Sequence, residues 1–146
     1  MTLEEIKKQI TSIVDKDVTL VSNLSNIASL LFKMDNINWA GFYLADSDRL
    51  ILGPFQGDPA CLIIPSGRGV CGTAFASKKS IIVDNVHEFP GHIACSALSK
   101  SEIVVPVIKN EQVHLVIDID SPIYNRFNNN DLKVLEEIAS VIEELI

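Results

Sequence analysis

The stretch EIVVPVIKNEQVHLVIDID, residues 102–120, decides the fold. Two runs rich in Val and Ile flank a short polar turn around Asn110 and Glu111, the pattern of a β-hairpin. Glu102 opens the first strand, and Asp118 and Asp120 close the second. The three carboxylates therefore lie towards the same end of the hairpin. Asp118 and Asp120 are two apart on a strand, so their side chains share a face. An isolated Asp-x-Asp at a strand end is usually solvated. Clustered with Glu102, the pair could hold a ligand ammonium. Crowding would also raise the pKa of one carboxyl, which then keeps a proton to donate.

Outward from the hairpin, NWAGFYLAD reads as a strand, with Trp39, Gly41 and Tyr43 on one face and Ala40, Phe42 and Leu44 on the other. LILGPFQG, ACLIIP and SIIVDNV are further strands divided by Gly and Pro. GRGVCGTAFASKK is a glycine turn entering a short helix, and HEFPGHIAC is a loop. Thr2 and Glu5 form a T-x-x-E capping box ahead of Leu3, Ile6, Ile10, Ile13 and Val14 at helical spacing. Leu20, Leu24, Ile27 and Leu31 mark a second helix. Leu132, Leu135, Ile138, Ala139 and Ile142 mark a closing one, with Asn130 or Asn129 as the expected N-cap. Consecutive strands with segregated helices give an α+β fold with a largely antiparallel sheet.

The bulk properties narrow the function. The 146 residues suit one domain, and 47% apolar content can fill a core. A net charge of −7 with no basic cluster argues against nucleic acid or an anionic membrane as partner. MTLEEIKKQI lacks the apolar centre of a signal peptide, and no apolar run is long enough to span a bilayer. A cytoplasmic location is expected, where permanent disulfides are rare.

Three cysteines then need a reason. Cys61, Cys71 and Cys95 suggest redox catalysis, a metal, or packing. Zinc sites carry close C-x-x-C or H-x-x-x-H pairs, and this chain has none. His92 precedes Cys95 by three, a weak signal for a Cys3His site. Cys61 falls in an apolar strand, where a thiol packs as a small hydrophobe. Cys71 follows a Gly-x-Gly turn at a helix start, where the dipole and backbone N–H groups lower a thiol pKa. Cys95 sits in a loop of small residues open to a substrate. A nucleophilic Cys95 with a partner thiol accounts for more than three unrelated packing cysteines do. Trp39 and Tyr43 are core residues or an aromatic wall for a small ligand. GRGVCG lacks the lysine and hydroxyl of a phosphate loop, so a small carboxylate suits it better than a triphosphate.

Several motifs in order carry a resemblance. NWAGFYL, LGPFQGDPAC, IPSGRGVCGTA, FPGHIAC, SEIVVPV and DIDSP make the chain similar to the free methionine-(R)-sulfoxide reductases, which are single GAF domains. The resemblance runs from about Asn38 to Phe127. It implies one GAF domain over residues 1–146: helices in 1–34, a six-stranded sheet with active-site loops over 38–127, and a helix over 130–146. It also implies reduction of free L-methionine-(R)-sulfoxide without metal or organic cofactor, recycling by thioredoxin, and a homodimer. By motif, Cys95 would be the nucleophile, and Cys61 and Cys71 resolving or relay thiols. Glu102, Asp118 and Asp120 would hold and protonate the substrate in a pocket lined by Trp39 and Tyr43. Two departures from the family pattern stand out: Ser96 and Ala97 follow Cys95 where Asp is common, and Leu115 stands where a glycine is common. A sensor GAF domain is the other reading. No output domain is recognisable in these residues, and a sensor gives no reason for three cysteines.

Overall fold

The computed structural model describes residues 1–92 and 97–146. Its centre is a six-stranded sheet in the order β3-β2-β1-β6-β5-β4, with every neighbouring pair antiparallel. The strands are β1 (Trp39–Asp46), β2 (Arg49–Gly57), β3 (Ile63–Pro65), β4 (Ile81–Val83), β5 (Ser101–Lys109) and β6 (Gln112–Ser121). The helices are α1 (Leu3–Ile13), α2 (Leu20–Leu31), α3 (Gly69–Ser77) and α4 (Asn129–Glu143). Among the described residues, no helix is long and apolar enough to cross a membrane.

Local chemistry accounts for most element boundaries. Thr2 and Glu5 close the capping box of α1 with both reciprocal hydrogen bonds. The N-cap of α4 is Asn128, not Asn129 or Asn130. Asn128 accepts from the Asp131 backbone N–H, and Asp131 accepts in return. Three consecutive asparagines look alike in sequence, and only the first has an acid three residues on. Asn110 and Glu111 both take positive φ, 53° and 66°, which a two-residue hairpin turn requires. Lys78 donates to the Glu111 carbonyl at 2.7 Å and helps hold that conformation.

The β5–β6 register contains one shift. Lys109 pairs with Gln112 and Ile108 with Val113, but Val107 pairs with Leu115. His114 is therefore the extra residue of a β-bulge. A straight ladder from this turn would set Glu102 opposite Ile119. With the bulge, Glu102 faces Asp120 and Val104 faces Asp118. All four side chains then point to one side of the sheet. Pro106 is tolerated in β5 because β4 covers only Glu102–Val104, which leaves that edge open beside it.

The sheet separates two apolar layers. Ala40, Phe42, Ile103, Val105, Leu115, Ile117 and Ile119 pack with α1, α2 and α4 on one face. Trp39, Tyr43, Val104 and Val116 pack on the other with Val70, Cys71 and Ala74 of α3. The second layer also contains the carboxylates.

Candidate functional site

The site is built where α3 crosses the second face. The chain leaves β3, turns through Gly67, and starts α3 at Gly69 with φ +63°, a conformation that favours glycine. Gly72 lies against the loop: a Cβ there would sit 2.6 Å from the Pro65 carbonyl oxygen. This close approach seats the first turn of α3 on the sheet and aims Cys71 at β5 and β6. Cys71 Sγ lies 3.9 Å from Glu102 Oε2 and is positioned to donate to it. Sγ and one oxygen each of Glu102 and Asp118 lie within 4.8 Å of one another.

Trp39, Tyr43, Cys71, Glu102, Asp118 and Asp120 line one cavity. Its free volume of about 40 Å³ holds no more than a few waters. Trp39 stacks between Phe55 and Tyr43, with ring centroids at 5.2 and 6.0 Å. Its indole N–H donates to the Asp58 carbonyl at 3.1 Å. The Tyr43 hydroxyl donates to the Cys61 carbonyl at 2.9 Å, tying the segment before β3 to this aromatic wall. Both rings are thereby fixed in place without using the cavity's own polar groups.

The carboxylates are the unusual part. Glu102 and Asp118 are buried, and Asp120 is half-buried. Removal from water pushes all three pKa values up. For Glu102 and Asp120, the charge on Asp118 adds to the rise. For Asp118, hydrogen bonding to Glu102 and Cys71 opposes it. Among the described residues, Oδ1 of Asp118 and Oδ1 of Asp120 are buried without a hydrogen-bond partner. Such orphaned acceptors are costly and point to a ligand that donates. The three acids titrate together, and the set keeps its protons to higher pH than ordinary carboxyls do.

The dipole argument for Cys71 fails here. Burial, then the charges of Asp118 and Glu102, push its thiol pKa well up instead of down. A helix N-terminus cannot outweigh desolvation combined with adjacent carboxylates. Cys71 is a free, buried thiol. Cys61 lies in the segment before β3, not within a strand, and it is disulfide-bonded. Cys95 and Ser96 lie outside the described residues, while Ala97 is exposed.

Arg68 and His92 also line the cavity. Arg68, the N-cap residue of α3, was within reach of sequence reasoning as the charged centre of GRG. His92 shows there only as a histidine near a cysteine. Its pKa is lowered, first by burial and then by His87. Ser99 completes the far wall, accepting from the Asn38 amide at 3.2 Å.

Comparison with known proteins agrees with this architecture. The GAF domain model matches residues 15–146. The free methionine-R-sulfoxide reductase of Escherichia coli (strain K12) is 41% identical over 143 residues, covering 97% of this chain and 87% of that protein. The enzyme of the same name from Saccharomyces cerevisiae is 45% identical over 151 residues, covering 97% and 84%. The structure of fRMsr of Staphylococcus aureus in its reduced form superposes with a TM-score of 0.94 at 49% identity, over 99% of this chain and 94% of that one. With β1, β5 and β6 carrying the cavity beneath α3, this chain belongs to the GAF domain family and, within it, to the free methionine-R-sulfoxide reductases.

Proposed function

We propose that this chain reduces free L-methionine-(R)-sulfoxide to L-methionine. The observation that carries the reading is the trio of Glu102, Asp118 and Asp120, with orphaned oxygens facing a cavity walled by Trp39 and Tyr43. A free amino acid brings an ammonium that buried carboxylates can bind, which a residue inside a polypeptide lacks. The aromatic wall suits its S-methyl group.

In the proposed mechanism the Cys95 thiolate attacks the sulfoxide sulfur. The S–O bond breaks as the oxygen passes to Cys95, which becomes a sulfenic acid. The substrate sulfur gains two electrons and the cysteine sulfur loses two. The departing oxygen must be protonated, and a member of the acid set supplies the proton. The pKa rise in that set supports this role. Another member holds the ammonium as a carboxylate. A resolving thiol then attacks the sulfenic sulfur, forming a disulfide and releasing water. We assign that step to Cys61, because it is disulfide-bonded, whereas the Cys71 thiol is free and held protonated by its surroundings. Two thiols of an external reductant restore the reduced enzyme. Thioredoxin as that reductant, a cytoplasmic location and a homodimer follow from the family resemblance.

The test is incubation of racemic free methionine sulfoxide with the protein and dithiothreitol, followed by chiral analysis. The R form alone should disappear, and Cys95→Ser should reduce the rate to background. Loss of neither form would favour a ligand-sensing GAF domain. Methionine release by Cys95→Ser in a single turnover would remove the nucleophile assignment.

A further inference from the structure

We propose that the cavity floor is also a site for a thiophilic divalent cation of the zinc class, held by Cys71, Glu102 and Asp118. Three different elements, α3, β5 and β6, each supply one donor, so the set is assembled before any ligand arrives. The three donor atoms lie within 4.8 Å of one another, and all three residues are buried. Around a shared tetrahedral zinc at ordinary bond lengths, a sulfur and an oxygen ligand stand roughly 3.5–3.7 Å apart. Cys71 Sγ and Glu102 Oε2 are already at 3.9 Å. Small side-chain rotations therefore close the site.

A second observation points the same way. Oδ1 of Asp118 is buried and has no hydrogen-bond partner among the described residues. Among the described residues, no lysine or arginine forms a salt bridge with Glu102, Asp118 or Asp120. Arg68 lines the same cavity, but among the described residues it makes no salt bridge with these acids, whose oxygens stay available to a small dense charge. The free volume of about 40 Å³ suits one ion and a bound water. His92 lines the same cavity. The thiolate selects zinc or cadmium over magnesium and calcium, which take oxygen shells of six or more. On binding, the Cys71 proton and any proton on Glu102 or Asp118 leave to solvent, and no redox change occurs.

The ion would occupy the groups assigned above to the substrate's ammonium and to the proton. Competition with methionine sulfoxide thus rests on the proposed function, whereas the ion site itself does not. The experiment is calorimetric titration of the reduced full chain with Zn²⁺ alone, with and without saturating free methionine sulfoxide. One equivalent should bind, and the amino acid should weaken it. Cys71→Ala should lower the affinity by at least about tenfold, and Cys61→Ser should leave it unchanged. If Cys71→Ala does not fold, Glu102→Gln replaces it, and the thiolate-to-metal charge-transfer band of bound Cd²⁺ reports the sulfur ligand directly. Absence of binding, or binding indifferent to both variants, overturns the site. Turnover without zinc binding overturns the ion site and leaves the reductase reading. Zinc binding without turnover does the reverse.

Discussion

Strand β6 sends Leu115, Ile117 and Ile119 to one face of the sheet and Val116, Asp118 and Asp120 to the other. The first set packs beneath α1, α2 and α4, with Ile117 and Ile119 fully buried. The second set places carboxyl groups in the layer beneath α3, with Asp118 buried and Asp120 half-buried. One face gains stability from every residue it buries, about 1.5–3 kcal/mol for each fully buried Ile. The other spends stability on carboxylates with unpartnered oxygens. Neighbouring residues on one strand thus belong to different physical regimes, and the pleat alone divides them.

The sharpest way to break this comparison is to change one residue on each face. Under the proposed function, Asp118→Asn should lower kcat/KM by roughly 10²–10⁴, the usual contribution of a positioned acid. Its fold should persist, as followed by circular dichroism. Unchanged kinetics would remove Asp118 from the chemistry. Ile117→Ala, one position away, should do the opposite. It should cost about 2–5 kcal/mol in urea unfolding, with turnover per folded molecule retained.

The smallest expected effect concerns pH. The Glu102 pKa is raised in the folded chain, so the native state binds more protons than the unfolded one. The contribution of Glu102 is fully present below the ordinary carboxylate range and is lost as pH rises through the raised value. Glu102→Gln removes this loss. Its melting temperature should exceed that of the parent by a few degrees at pH 8, with the gap narrowing at pH 5. An equal gap at both pH values would mean that the acid is not protonated in the native state.

Much of this was legible in the sequence, because period and turn chemistry are local. The alternation of NWAGFYLAD separates Trp39 and Tyr43 from Ala40 and Phe42 as the structure does. The hairpin and the α1 capping box follow from a few adjacent residues. What was not legible depends on three-dimensional surroundings. The Cys71 thiol looked activated because only its own helix was in view, and the acids that reverse its shift come from β5 and β6. Cys61 looked like a strand residue from its apolar neighbours, but pairing between β2 and β3 reaches only Ile63–Pro65. His92 enters the cavity through a loop path that no periodicity encodes.

The bulge at His114 has a further consequence. The two ends of the β5–β6 hairpin are out of phase with each other by one residue. The turn end keeps the count that its two-residue link demands, and the far end keeps the count that unites Glu102 with the aspartates. The chain therefore holds one residue of slack between a folding requirement and a chemical one. A single deletion between Gln112 and Val116 is expected to be taken up by straightening the ladder, with the carboxylates still together. The identity of the reactive face is in this sense a matter of arithmetic parity, settled four residues before the first aspartate is reached.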